Sequence, residues 1–280
     1  MRTAQHAELA LLLEVAGTPK PGNVDRHRDF DDLRFEHFLA GAVGAQDGLQ
    51  AAAEGEPVGE AFDRAVAGMS QQRGGNAQFG ALLLLVPLVR AAATDELTPD
   101  GASRVAEATT VEDAVGFYRA FDHVDVFVDD PPAGAAALDV RRGSDAVPAV
   151  RDREVTLYDV MELGAPEDGD AAEWTNGFPR TFEAAADVAA ARGPVPDRVA
   201  DVFLELLADE PDSLVAKQHG EQVAREVSDR AADLLDEGAP TEAVEAFGDE
   251  LVDRGVNPGT TADVTAAATF VALERHGVVP

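Results

Sequence analysis

Ala81-Leu82-Leu83-Leu84-Leu85-Val86-Pro87-Leu88-Val89 is apolar on every face. A helix without a polar side has nowhere to lie but inside, so this stretch predicts a central helix surrounded by its neighbours and kinked at Pro87. Outward from it, apolar residues recur at three- and four-residue spacing through most long segments, which is the helical period. The chain therefore reads as all-α, a single multi-helix globular domain over residues 1–280 with that helix buried at its centre. Helices are predicted over 3–16, 33–54, 57–71, 76–93, 111–122, 178–192, 196–208, 212–237, 240–254 and 260–276. Gly55, Gly193-Pro194, Gly238-Ala239-Pro240 and Pro258-Gly259 punctuate them. Only His123 to Asp130 and Arg153 to Tyr158 alternate like strands, and Asp129 to Gly177 reads as the irregular part of the chain.

Charge narrows the setting. The 280 residues carry 53 Asp and Glu against 22 Lys and Arg, a formal net charge of -31. Lysine occurs only as Lys20 and Lys217. An acid-rich, lysine-poor surface suits a protein that works at molar salt, where screening suppresses self-repulsion, so a halophile's high-salt cytoplasm is expected. The same balance argues against nucleic acid as a partner, because phosphate backbones need a cationic face. No cysteine is present, which excludes disulfides, zinc thiolates and thiol catalysis. Met1-Arg2-Thr3-Ala4-Gln5-His6 holds no apolar signal core, and Ala81 to Val89 falls far short of the roughly 20 residues that cross a bilayer, so no membrane is expected.

Three segments place glycines at or near the start of a helix. Thr18-Pro19-Lys20-Pro21-Gly22-Asn23-Val24-Asp25-Arg26 holds a lysine between two stiff prolines beside a glycine that lets the backbone turn. Arg73-Gly74-Gly75-Asn76 precedes the buried helix, and Asn257-Pro258-Gly259-Thr260 opens the last one. Helix N-termini carry unpaired amides and partial positive charge, so each is suited to an anion such as phosphate, although an ordinary cap explains each one singly. None is a Walker loop, and no strand precedes any of them as a dinucleotide fingerprint requires.

Acids lie near these loops. Glu14 interrupts the apolar run of the first helix, where a lone carboxylate is costly, so it should have a partner. Asp25, Asp29, Asp31, Asp212 and Asp263 sit in or beside loop ends. Carboxylates beside phosphate sites make sense with a divalent cation between them, so magnesium is inferred, while a solvated surface is the alternative for any one acid. His27 follows the first loop and His219 lies beside Lys217, each either a phosphate contact or a surface residue.

Taken together, Glu14-Val15, Thr18-Pro19-Lys20-Pro21-Gly22-Asn23-Val24-Asp25, His27-Arg28-Asp29-Phe30-Asp31, Gly74-Gly75-Asn76 with Gly80, Asp212-Ser213 and Pro258-Gly259-Thr260-Thr261-Ala262-Asp263 resemble the all-helical triphosphoribosyl-dephospho-coenzyme A synthase family, in family order along most of the chain. The resemblance implies transfer of the triphosphoribosyl part of ATP to the ribose 2'-hydroxyl of dephospho-coenzyme A, with release of adenine, to make a prosthetic-group precursor. It implies that Lys20, Gly22, Asn23, Arg26, His27, Arg73, Gly74, Gly75, Asn76, Lys217, His219, Gly259 and Thr260 bind nucleotide or phosphate. Glu14, Asp25 and Asp263 are expected at the reacting sugar, and Asp29, Asp31 and Asp212 around magnesium. The chain departs from the family's bacterial pattern where Asn76-Ala77-Gln78-Phe79-Gly80 replaces Asn-Thr-His-Lys-Gly and where Lys217-Gln218-His219-Gly220 replaces Arg-Gly-Gly. These departures leave two alternatives: a ribosyl or phosphoryl transferase on another nucleotide or cofactor precursor, for example in a pterin-type pathway, or a non-catalytic nucleotide-binding protein.

Overall fold

The structure, a computed structural model, describes residues 1–131 and 134–280. Fifteen α-helices and no strand occur among the described residues. They are α1 (Thr3–Ala16), α2 (Phe35–Glu54), α3 (Val58–Met69), α4 (Phe79–Ala92), α5 (Pro99–Glu107), α6 (Val111–Ala120), α7 (Val147–Asp152), α8 (Leu157–Gly164), α9 (Gly169–Asn176), α10 (Pro179–Ala190), α11 (Val195–Asp209), α12 (Ser213–His219), α13 (Glu221–Asp236), α14 (Thr241–Asp253) and α15 (Gly259–Glu274).

α4 is the apolar helix expected at the centre. Every residue from Ala81 to Val89 lies out of solvent, and the helix continues through Pro87 to Ala92. It shares that position with α15, in which every residue from Val264 to Leu273 is buried. Two hydroxyls inside α15 stay satisfied by bonding back one turn, Thr265 to the Thr261 carbonyl at 2.7 Å and Thr269 to the Thr265 carbonyl at 2.8 Å. α1, α10 and α11 pack around α15, while α2 and α3 pack around α4. α2 and α3 come together at Gly44 and Gly68, where a Cβ on either would strike the other's carbonyl oxygen. Phe62, Phe79, Phe117 and Phe121 fill the space beside α4 with edge-to-face contacts, as between Phe79 and Phe121 at 4.9 Å. A second, smaller apolar cluster, including Phe203, Leu234 and Phe247, joins α11 to α12, α13 and α14.

The structure corrects several expectations. The predicted helix over 212–237 is two, because Gly220 at φ 90° leaves helical geometry between α12 and α13. The strand-like alternation of 123–130 has no regular structure, and that of 153–158 runs into α8, which Thr156 and Asp159 cap reciprocally. The stretch 129–177 is not irregular throughout: it holds α7, α8 and α9, and only its residues 132 and 133 lie outside the described residues. α5, started by the Thr98 cap and Pro99, adds to the expected set. These additional helices are short, so tertiary packing rather than a long periodic signal holds them.

Candidate active site

The N-terminus of α4 opens onto a cavity of about 890 Å³. Asn76, Gly80, Asp168, Asp170, Lys217, Asn257, Thr260 and Asp263 form its polar end. Phe79, Leu83, Phe117, Phe121, Val160 and Met161 belong to its apolar side, and the segment 125–131 closes part of the rim. Among the described residues, nine acids and a single lysine, Lys217, are the charged residues lining it.

Hydrogen bonds fix the polar end by tying helix starts together. Asp212 caps α12 through the Val215 amide at 3.0 Å and accepts from the Thr261 amide at 2.7 Å and the Thr261 hydroxyl at 2.8 Å. Ser213 Oγ accepts from the Gly169 amide at 3.0 Å and bonds Thr260 Oγ1 at 2.9 Å, which joins the starts of α9, α12 and α15. Asp168 caps α9 through the Ala171 amide at 2.9 Å, and its other oxygen pairs with Lys217. Asn76 Oδ1 accepts from the Phe79 amide at 3.0 Å at the entrance to α4.

Two carboxylates meet at the start of α4. Asp263, from α15, brings its Oδ2 up to Gly80. Asp170, from the first turn of α9, faces the same spot, and its buried Oδ1 has no hydrogen-bond partner. A Cβ on Gly80 would collide with both carboxylates, so glycine is what lets them approach the helix. Burial first, then the Asp263, Asp168 and Asp212 charges, hold the Asp170 carboxyl well above the usual carboxylate range, while Lys217 opposes the shift. Asp263 is raised in the same way, by burial and then by the charge of Glu14, with the Ala81 amide acting against it.

Behind Asp263 lies the Pro-Lys-Pro-Gly loop. Glu14 has the partner its position in the apolar run demanded: Lys20 Nζ. Lys20 has no exposed surface, donates also to Asn23 Oδ1 at 3.1 Å, and stands 5.6 Å from the centre of the Phe203 ring. Burial raises the Glu14 carboxyl and the Lys20 charge opposes that shift. Asn23 Nδ2 continues the chain to Asn257 Oδ1 at 2.9 Å, on the cavity wall. Asp25 is buried and accepts five hydrogen bonds, from the Thr18 hydroxyl, the Lys20, His27 and Arg28 amides and the Arg28 guanidinium, so it organises the loop from within. Gly22, at φ 72°, abuts the Val256 carbonyl and Pro258, locking this loop to the one that starts α15.

The structure thus gathers Asn76, Lys217, Thr260 and Asp263 at the cavity and sets Glu14, Lys20, Gly22 and Asn23 behind its wall. Gly259 is half-buried beside Leu214 at the start of α15. Arg26, His27 and Arg73 are exposed and do not line the cavity, and neither do Gly74 and Gly75, of which Gly74 packs against the His37 ring. His219 is exposed and bonds the Gly255 carbonyl at 3.1 Å. The acids expected around magnesium are not brought together: Asp31 is exposed, Asp29 is exposed and accepts from the Phe35 amide at 2.7 Å, and Asp212 is saturated by its three donors. Among the described residues no three acids or histidines converge as a ready-made metal cage. Asp168 and Asp170 were missed by sequence reasoning. The signal that could have found them is the Asp168-Gly169-Asp170 opening of α9, an N-cap acid followed by a first-turn acid.

A family model described as CitG: ATP:dephospho-CoA triphosphoribosyl transferase matches residues 1–279. A crystal structure of a "putative triphosphoribosyl-dephospho-coA synthase" from Archaeoglobus fulgidus is similar at a TM-score of 0.67 with 26% sequence identity, covering 84% of this chain and 97% of that one. No curated protein matches the chain.

Proposed function

The chain belongs to the ATP:dephospho-CoA triphosphoribosyl transferase family, and from that premise we propose that the cavity at the start of α4 is where triphosphoribosyl passes from ATP to dephospho-CoA and adenine is released. The observation that carries this reading is the meeting of Asp170 and Asp263 over Gly80 at a helix N-terminus. Breaking the bond between adenine and C1' leaves an oxocarbenium-like centre, which nearby carboxylate charge stabilises. Asp263 is the residue proposed at that sugar, where it lines the cavity beside Gly80. The 2'-hydroxyl of the acceptor gives up its proton to a carboxylate of this wall as the new C1'–O bond forms.

The starts of α4, α9 and α15 turn their positive dipole ends toward the triphosphate, and Lys217 supplies the cation on the cavity wall. Lys217 pairs with Asp168 until phosphate arrives. Magnesium fits Asp170, a cavity-lining acid whose buried Oδ1 has no hydrogen-bond partner, because Mg²⁺ is commonly held by one or two carboxylates together with substrate phosphates rather than by an all-protein cage. When bound it would neutralise triphosphate charge beside nine acids. The apolar side, with Phe79, Phe117 and Phe121, takes the less polar parts of the two substrates and keeps water from the reacting carbon.

ATP and dephospho-CoA are cytoplasmic metabolites, and the net charge of -31 suits a high-salt cytoplasm. No helix among the described residues is long and apolar enough to cross a membrane. The deciding experiment is adenine release from ATP in molar potassium chloride with magnesium, with and without dephospho-CoA. Release that requires the acceptor, with a product heavier by one triphosphoribosyl group, supports the reading. Folded protein that releases no adenine sinks it.

A further inference from the structure

Lys20 is one of two lysines in the chain and lies in its most conspicuous loop, yet it has no surface from which to touch a substrate. Its ammonium is enclosed by Glu14, Asn23 and the Phe203 ring. A buried ion pair is a poor way to stabilise a fold, because apolar residues of the same volume generally serve as well or better. The pair stands where its charge matters to the site. Asn23 carries the lysine's second contact to Asn257 on the cavity wall, and the charge of Glu14 helps to hold the Asp263 carboxyl above its usual range. A Glu14 without Lys20 would be an uncompensated buried negative charge close to Asp263, at the end of the cavity that must receive a polyphosphate.

We propose that Lys20 is a positioning residue, a buried counter-charge that holds Glu14 in place and, through Asn23 and Asn257, fixes the cavity wall without contacting ATP. This assignment rests on the transferase reading of the cavity. It replaces the direct phosphate contact that the loop's sequence suggested. Two contacts leave the same ammonium, one to the Glu14 carboxylate and one to Asn23, and the second continues to Asn257 on the cavity wall. Phosphate could reach the ammonium only if Glu14 and Asn23 were both displaced.

The test uses the whole chain in molar potassium chloride. Lys20→Met alone strands Glu14 and is expected to unfold or weaken the protein, so the informative variant is Glu14→Gln with Lys20→Met, which removes both charges and keeps the volume. A second variant, Asn23→Ala, leaves the ion pair and cuts only the link to Asn257. ATP affinity is measured by equilibrium binding, independently of turnover, alongside kcat for adenine release. A positioning role predicts folded variants whose ATP Kd changes less than about threefold while kcat falls about tenfold or more. A direct phosphate contact predicts instead an ATP Kd weakened about tenfold or more in the double variant but not in Asn23→Ala, and that result overturns the proposal. Wild-type kcat in both variants also overturns it. If the wild type binds ATP but releases no adenine with dephospho-CoA, the transferase reading fails by itself. The Kd comparison then still decides whether Lys20 touches the nucleotide.

Discussion

Asp170 and Asp263 point their carboxylates toward one another over Gly80, from helices whose sequences lie far apart in the chain. Neither arrangement helps the fold. Burial raises both carboxyls, the Asp263 charge raises Asp170 further, Glu14 raises Asp263, and the Asp170 Oδ1 lacks a hydrogen-bond partner, so this corner is less stable without ligand than an uncharged one would be. Asp170→Asn keeps the shape and removes one of the repelling charges. It should raise the stability of the ligand-free protein by ~1 kcal/mol, about 2 °C in Tm for a chain of this size, while lowering kcat for adenine release about 100-fold. Thermal denaturation and the adenine assay on the same preparation check both halves. A variant that loses stability as well as activity would show that Asp170 supports the fold.

The same pair sets a pH dependence. A carboxyl raised in the folded state binds protons more tightly there than in the unfolded chain, so it favours folding at low pH, and that contribution is lost as pH rises through the folded value. Glu14, Asp170 and Asp263 all shift upward. Ligand-free wild type should therefore gain stability as pH falls from neutral toward the ordinary carboxylate range near about 4 to 5. Asp170→Asn should flatten that rise. Tm against pH at constant molar potassium chloride measures both slopes, and identical slopes would remove Asp170 from the account.

Which features could be read before folding follows from how far each depends on the chain's remote parts. α4 was legible because nine consecutive apolar residues leave no solvent face, whatever surrounds them. α15 was legible as a helix but not as a central one, since its buried threonines look like surface until their hydroxyls are seen bonding back along the helix. Lys20 stands out in the sequence for its setting, while its inward direction onto Glu14 is set by packing. Lysine is almost never buried without a partner, and the partner, Glu14, was recognised separately as a carboxylate needing one. Asp170 is harder to read because α9 is only eight residues long, so its local signal is no more than an N-cap acid and a first-turn acid, and its place at the cavity comes from the Ser213–Gly169 and Ser213–Thr260 contacts that no local pattern encodes.

Gly80 tests the close approach itself. In an exposed helix, alanine in place of glycine would stabilise by about 0.5–1 kcal/mol, but here the added methyl meets both carboxylates. Gly80→Ala is expected to move Asp170 or Asp263 and lower kcat/KM for ATP by about 100-fold, since small displacements of reacting groups have effects of that size. Circular dichroism should show the wild-type helix content. Retained activity would mean that the carboxylates have room to retreat and that the glycine is there for packing alone.

Lys217 makes the last case, because it is the cation on a wall that otherwise presents nine acids to a substrate carrying a triphosphate. Its partner Asp168 also caps α9 through the Ala171 amide, so that carboxylate keeps a structural function when the lysine leaves it. Lys217→Met preserves the long apolar stem and removes only the charge. The ion pair is partly exposed, and fold stability should change by no more than about 1 kcal/mol. ATP binding should weaken about tenfold or more, because a charged hydrogen bond to phosphate is lost at a site already short of positive charge. Lys217→Arg should recover part of that affinity. Should Lys217→Met bind ATP as tightly as wild type, the triphosphate must be held by the helix dipoles and magnesium without it.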